Sequence, residues 1–344
     1  MKIAIVGAGI VGSTAAYYLS KEKDVEVTVF DHGPGQATKA AAGIISPWFS
    51  KRRNKAWYRM ARLGADFYQE LTSNLENDGY DTSFYDQSGV VLLKKDDGKL
   101  DGLYQYAETR LEESPIIGEL SIKNADELPK FTGFDRCLYA SGGARVEGAE
   151  LTATLIEASG FEKLEGLVTL SSLDNETYEI NAQTFDKVIL ACGAWLGQTL
   201  EPLGFEVDVR PQKGQLRDYF FEGLDTGKLP VLMPEGELDI IPFAGGKISV
   251  GASHENDKGF DLTVDEAILE GLEEEAKIYF PDLSTAKSFS ERVGTRAYTS
   301  DFSPFFGEVP ELKNVFVASG LGSSGLTTCL LYTSDAADDS LRVD

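Results

Sequence analysis

Three glycines near the N-terminus have the spacing to hold a dinucleotide. Gly7, Gly9 and Gly12 lie in GAGIVG, a G-x-G-x-x-G pattern, and Asp31 follows about 20 residues beyond Gly12. Gly7 permits a tight turn. Gly9 lets backbone N–H groups approach a pyrophosphate, and Gly12 lets a helix pack close to its strand. A helix starting there presents its partial positive charge to the phosphates, while the Asp31 carboxylate can accept hydrogen bonds from a ribose. The motif alone serves FAD and NAD alike.

The elements needed to position these residues are present around them. The apolar run 3–6 is long enough for one buried strand, residues 13–22 carry Ala15, Ala16 and Leu19 at helical spacing, and 25–30 forms a second strand ending on Asp31. This is a βαβ unit. The loop 32–48 follows, broken by Gly33, Pro34 and Gly35, with Ala40, Ala41, Ala42 and Gly43 small enough to lie along a cofactor. The spacing predicts a long amphipathic helix over 54–77, with Trp57, Met60, Ala61, Gly64, Phe67, Leu71 and Leu75 as its core stripe. A strand over 89–93 and an exposed acidic helix over 101–113 complete a block that does not repeat the βαβ pattern. Residues 149–159 read as a helix, 166–171 and 177–180 as strands, and 187–192 as a buried parallel strand ending at Gly193 and Trp195. The stretches 210–221 and 238–251 are β-rich, with a turn at Gly245 and Gly246. Residues 263–279 form a helix opened by a Thr263/Glu266 capping box, and a buried strand over 314–319 runs into GLGSSGLT. The expected fold class is α/β plus β-rich. A Rossmann-type nucleotide-binding domain (1–46, 140–205 and 285–344) is interleaved with a substrate domain (47–139 and 206–284) built on a mostly antiparallel sheet.

Composition narrows the function classes. The 344 residues carry a net charge of −24, which argues against nucleic acid or an anionic membrane surface as partner. Cys137, Cys192 and Cys329 are scattered, and with only 2 histidines no zinc cluster or disulfide framework is expected. No signal peptide precedes the first strand and no stretch has the length of a membrane span, so the expected setting is cytoplasmic.

The blocks GAGIVGSTAAYYL with Asp31, AAAGIISP, VILACGAW, and ERVGTR with NVFVASGLGSSGLT together carry a resemblance that extends to Thr328. The chain resembles the FAD-dependent amine and amino-acid oxidoreductases of the D-amino-acid oxidase fold, in the glycine oxidase, sarcosine oxidase and D-amino-acid dehydrogenase-like branch. The resemblance selects FAD over NAD. It implies that Gly7, Gly9, Ile10, Val11 and Gly12 hold the pyrophosphate, with Asp31 on the ribose (in place of the more usual Glu) and His32 beside it. It puts Ala42 and Gly43 along the ring or ribityl chain, the backbone of Val168 at adenine, and Cys192, Gly193 and Trp195 in a second FAD-binding turn. Gly320, Gly322, Ser323, Gly325, Leu326 and Thr327 form the loop facing the pyrimidine edge, where N–H donors stabilise the charge of reduced flavin. No cysteine lies in ERVGTRAYTSDF, so the FAD is expected to be non-covalent.

Arg296 matches the arginine that binds a substrate carboxylate, for which a planar guanidinium fork is suited; the competing reading is an ion pair with Asp301. Arg292 reads as structural. Asp239 and His254 fall on strand ends that line the substrate face, where Asp239 can meet a substrate ammonium. The implied chemistry is oxidation of the C–N bond of a small amino acid (glycine, N-methyl or D-amino type). Hydride passes to flavin N5, and the resulting imine hydrolyses to a keto acid. Oxygen or another acceptor then takes the electrons; Lys247 is the nearest candidate for an oxygen-activating lysine. Two alternatives stay open. One is a non-catalytic or electron-transferring flavoprotein subunit, which would have no reason to keep an unpaired Arg296. The other, an NAD(P)-dependent dehydrogenase, is disfavoured by GLGSSGLT and the interleaved β-rich domain. The acidic tail after Thr328 lacks the helical stripe that the family carries there.

Overall fold

The computed structural model describes residues 1–52, 54–173 and 176–328; Cys329 and the tail lie outside these. Ile3, Ala4, Ile5 and Val6 are buried because their strand, Lys2–Val6, runs through the interior of a six-stranded sheet. Glu26–Asp31 pairs with it in parallel on one side and Lys187–Leu190 on the other. Glu162–Glu165 extends the sheet beyond Glu26–Asp31, and Val315–Ser319 extends it beyond Lys187–Leu190, again in parallel. Only the edge strand Phe305–Glu308 is antiparallel. In register, Val6 stands opposite Leu190, and Leu190 opposite Val317. The turns that follow these three strands therefore emerge along one edge, the usual ligand-binding edge of an open parallel sheet.

The helix Ile10–Leu19 begins immediately after Gly9, earlier than the expected 13. Ser13 and Thr14, which weaken a helix when solvated, are here buried and donate to the Gly9 and Ile10 carbonyls. Other boundaries also move for local reasons. The helix expected at 263 is Glu266–Tyr279, capped by Asp265, which accepts from the Ile268 N–H, because the Thr263 hydroxyl is engaged by Asp261 at 2.7 Å. The helix expected over 101–113 is Asp97–Glu108, capped by Asp96. The strand expected over 166–171 is only Leu170–Ser172, which leaves Val168 in the connection before it.

The second large sheet has eight strands, in the order Ser288–Tyr298, Arg210–Phe220, Lys247–Gly251, Asp239–Phe243, Val231–Met233, Val90–Leu92, Arg136–Ala140, Leu120–Asn124. All its neighbours are antiparallel except Val231–Met233 with Val90–Leu92. Ser288–Tyr298 lies past residue 285 and yet belongs to this sheet, pairing along its whole length with Arg210–Phe220. Glu266–Tyr279 packs Leu269, Leu272 and Ala276 against Ile248 and Val250 on one face. The helix Lys55–Asn77, capped by Asn54 on the Trp57 N–H, buries Phe67, Tyr68, Leu71 and Leu75 in a core that also holds Ile10 and Tyr17 from the nucleotide helix and Val90, Leu138 and Ile241 from the eight-stranded sheet. That shared core fixes the two sheets against each other. Among the described residues no helix is long and apolar enough to cross a membrane, and no group of three His, Cys, Asp or Glu is placed to hold a metal.

Candidate active site

A cavity of about 620 Å³ opens between the C-terminal edge of the parallel sheet and the face of the antiparallel one. At its first end, Gly7 has φ +103°, and a β-carbon there would run into the Ala191 carbonyl; one at Gly12 would run into the Gly7 carbonyl. Gly12 thus seats the helix on its strand, outside the cavity wall, while Gly7, Gly9, Ile10 and Val11 line the wall itself. Asp31 is buried and accepts from the Ala8 N–H at 3.0 Å and from Gln36 Nε2 at 2.5 and 2.7 Å. Thr38 Oγ1 accepts from the Ile10 N–H at 3.1 Å. Gln36 and Thr38 escaped the sequence reading, although they sit in the small-residue loop marked as cofactor-lining. Their only signal was their nearness to Asp31.

His32, Val168, Cys192, Gly193 and Trp195 line the same stretch, as do Ala42 and Gly43 further along. Burial pushes the Cys192 thiol up to about 11, and its Sγ donates to the Val6 carbonyl at 3.5 Å, so it is a neutral wall group. Gly320, Gly322, Ser323, Gly325, Leu326 and Thr327 close the next part of the wall. Their loop is anchored from outside: Ser319 Oγ donates to the Gly193 carbonyl, Tyr68 Oη to the Leu326 carbonyl, and Trp57 Nε1 to Ser324 Oγ.

Arg296, His254 and Asp239 line the cavity as well, and the Arg296 charge is felt at His254. Arg296 Nη1 donates to Gln212 Oε1 at 3.2 Å and to the Ser253 carbonyl at 2.8 Å. Among the described residues no carboxylate oxygen lies within 4.0 Å of its guanidinium. Asp301 is not its partner; that carboxylate accepts from Thr299 Oγ1 and the Ser303 N–H. Burial pulls Arg296 down from its usual value, yet a guanidinium stays charged. Asp239 opens the strand Asp239–Phe243 with no donor or cation on its carboxyl group among the described residues, and burial pushes it up to about 8. His254, with 37% of its side chain exposed, stands 3.7 Å from Glu237. Partial burial and then the Arg296 charge hold it below its usual value, against the pull of Glu237.

Arg292 is structural. It donates to the Lys39 and Ala41 carbonyls, to Asp218 and to Ser249, and so ties the cavity loop to the sheet. Lys247 pairs with Glu147 at 2.8 Å and lies outside the lining residues, so it is not placed over a flavin. Glu237, Met233, Gln212, Gly214 and Arg52 belong to the site's surroundings and were missed; of these, only Gly214 had a signal, a glycine inside a strand.

The family model of FAD dependent oxidoreductases, DAO, matches residues 2–336. The chain belongs to that family. This FAD-dependent oxidoreductase is 38% identical over 340 residues to the uncharacterized oxidoreductase YurR of Bacillus subtilis (strain 168), covering 94% of this chain and 90% of that one. To a glycine oxidase of Pseudomonas aeruginosa it is 29% identical over 339 residues, with 94% and 90% covered. The crystal structure of iminodiacetate oxidase (IdaA) from Chelativorans sp. BNC1 superposes with a TM-score of 0.90 at 30% identity, covering 96% of this chain and 92% of that one. Membership settles the cofactor as FAD and removes the NAD(P) alternative. The residues present fit it: the Gly7 turn leaves room for a pyrophosphate, and Gln36 Oε1, buried beside the Asp31 carboxylate without a donor among the described residues, is an acceptor suited to a ribose hydroxyl.

Proposed function

We propose that this flavoprotein oxidises the C–N bond of a small amino acid (glycine, N-methyl or D-amino type) to an imine, which water converts to a keto acid and ammonia or an amine. The observation that carries this reading is Arg296, a cation facing the cavity with no carboxylate within 4.0 Å among the described residues. A half-buried cation with only neutral acceptors is costly to keep, and a ligand carboxylate offsets that cost. It also weighs against a non-catalytic subunit. The relatives named for glycine and iminodiacetate support the same class, since both molecules hold an amine one carbon from a carboxylate.

When bound, FAD supplies a two-electron acceptor for the α-C–H bond. Gly7, Gly9, Ile10 and Val11 would hold its pyrophosphate, Asp31 with Gln36 its ribose, Val168 its adenine, and the Gly320–Thr327 loop its ring edge. Arg296 would clamp the substrate carboxylate through paired N–H donors and so fix the α-carbon. Asp239, uncharged near neutrality, would release its proton to solvent when an ammonium arrives beside it, and the carboxylate so formed can take the amine proton on its oxygen. The neutral amine then has a lone pair free to form the C=N bond as the C–H bond breaks. His254 would hydrogen-bond at the rim. The electrons leave to oxygen or another acceptor. In this reading the parallel sheet with its turns serves the cofactor and the antiparallel sheet the substrate, in a cytoplasmic setting consistent with the free thiols of Cys137 and Cys192.

The test is to mix holoenzyme with glycine, N-methylglycine and a D-amino-acid series without oxygen. Bleaching of the flavin absorption by one of them supports the reading, and readmitted air then tells whether oxygen restores it. A flavin that none of them bleaches sinks it.

A further inference from the structure

Among the described residues two guanidiniums line this cavity. Besides Arg296 there is Arg52, exposed at the rim in the segment between Pro47–Phe49 and the helix Lys55–Asn77. Among the described residues it too has no carboxylate oxygen within 4.0 Å, in a chain where 56 acids outnumber 32 Lys and Arg. Its place is set by Trp57: the Arg52 Cζ stands 4.6 Å from the ring centroid, a cation–π contact. Trp57 is itself held at two points, its Nε1 on Ser324 Oγ at 3.2 Å and its backbone N–H on the Asn54 cap at 3.0 Å. Gly322, in the same loop as Ser324, rests on the Tyr298 ring. Tyr298 lies two residues from Arg296 on one strand, so both side chains leave the same face. Contacts through Trp57, Ser324, Gly322 and Tyr298, the last standing behind the lining residues, thus run from one cation toward the other.

Two of the three acids near this track, Glu237 and Asp301, are committed elsewhere. Glu237 faces His254 at 3.7 Å. Asp301, which shares a hollow with Arg52, accepts from the Ser303 N–H and the Thr299 hydroxyl, and those bonds hold its carboxyl below the usual range. Asp239 has no hydrogen-bond or ion-pair partner among the described residues.

We propose that Arg52 forms a second anion subsite, and that the preferred substrate is an N-substituted amino acid bearing a second carboxylate, an iminodicarboxylate. Arg296 takes the carboxylate beside the reacting carbon, Asp239 meets the amine, and Arg52 takes the carboxylate on the N-substituent. The inference rests on the amine oxidation proposed above and narrows its substrate.

The experiment follows anaerobic flavin bleaching in holoenzyme with three glycines that differ on nitrogen: N-methyl, N-carboxymethyl (iminodiacetate) and N-(2-hydroxyethyl), the last a neutral match in size. The rate constant divided by the apparent Kd should be about 10-fold or more higher for iminodiacetate than for the hydroxyethyl compound, the value of one charge-assisted contact. In Arg52→Gln that ratio should fall toward about 1, with the change carried by Kd, and Arg52→Lys should restore part of it; flavin absorbance per protein confirms that each variant is folded and loaded. A wild-type ratio near 1, or a ratio that Arg52→Gln leaves intact, overturns the subsite. If Arg52→Gln fails to load FAD, the wild-type ratio and Arg52→Lys decide alone. Bleaching by N-methylglycine without any preference for iminodiacetate removes the subsite but not the oxidation. Bleaching by none of the three removes both.

Discussion

The guanidinium of Arg296 lies across Gly214 on the neighbouring strand, its Cζ 2.6 Å from where a β-carbon at residue 214 would stand. In register Arg296 is opposite Gln212, whose side chain it also uses, so the diagonal Gly214 is the gap through which the side chain reaches the cavity. Any other residue at 214 would meet the far end of a long, flexible side chain and push it aside. The sheet survives such a change; the aim of the arginine does not.

Gly214→Ala is therefore expected to weaken substrate binding about 10-fold while the thermal midpoint moves little. An anaerobic titration of flavin bleaching, set beside a melting curve, checks both. Unaltered substrate affinity would mean that Arg296 does not hold the substrate.

Arg296 and Arg292 sit four residues apart on one strand and should fail differently. Arg296→Ala should lower kcat/KM by about 10²-fold or more with FAD retained, since a charged contact to substrate is lost. Arg292→Ala removes the nearest cation from the buried Asp218 carboxylate, leaving it Ser249 Oγ and Lys247 at 3.9 Å, and frees the Lys39 and Ala41 carbonyls, at a cost of about 3 kcal/mol. Its midpoint should fall and FAD should leak, while the KM of the enzyme still loaded changes little. Equal effects from both would remove the distinction.

Asp239 sets a pH dependence. Its value is raised from 3.8 to about 8 in the folded protein, so the stability tied to its neutral form is complete below about pH 4 and declines as pH rises toward 8. Asp239→Asn, which cannot ionise, should match the parent midpoint below about pH 4 and exceed it by a few degrees near pH 8 and above. The same variant should lose the limb near pH 8 in the kcat/KM profile, provided Asp239 is the group that titrates there. A midpoint difference independent of pH would contradict this account.

At the other end, Asp31→Ala leaves the Ala8 N–H and the Gln36 amide without their acceptor. FAD affinity should drop about 10-fold or more, read by equilibrium dialysis or recovery of protein fluorescence. Undiminished affinity would show that the carboxylate only braces the loop.

The nucleotide half of the site was legible because its chemistry is local. Gly7, Gly9, Gly12 and Asp31 belong to one short βαβ unit, and the backbone demands of a tight turn and a close helix restrict these positions to glycine whatever surrounds them. Helix ends were less legible: Thr263 and Asp265 both qualify as caps, and only the pull of Asp261 on Thr263 leaves the role to Asp265. Gln36 was illegible because a glutamine in a loop carries no signal of the buried carboxylate it serves.

The substrate half shows the opposite case. The sequence by itself determined the parallel sheet's turns, the glycines Gly7 and Gly9 that line the cavity at one of them, and an arginine at 296 that lines it too. It could not determine that Arg296 is free of Asp301, that Asp239 lacks a partner among the described residues, or that Arg52 reaches the same cavity. Those facts depend on strands and segments far apart in the chain being set side by side by the eight-stranded sheet and the core it shares with the nucleotide helix. A side chain's charge state and partners are set by what stands around it in space, and here that neighbourhood is made almost entirely of residues distant in sequence.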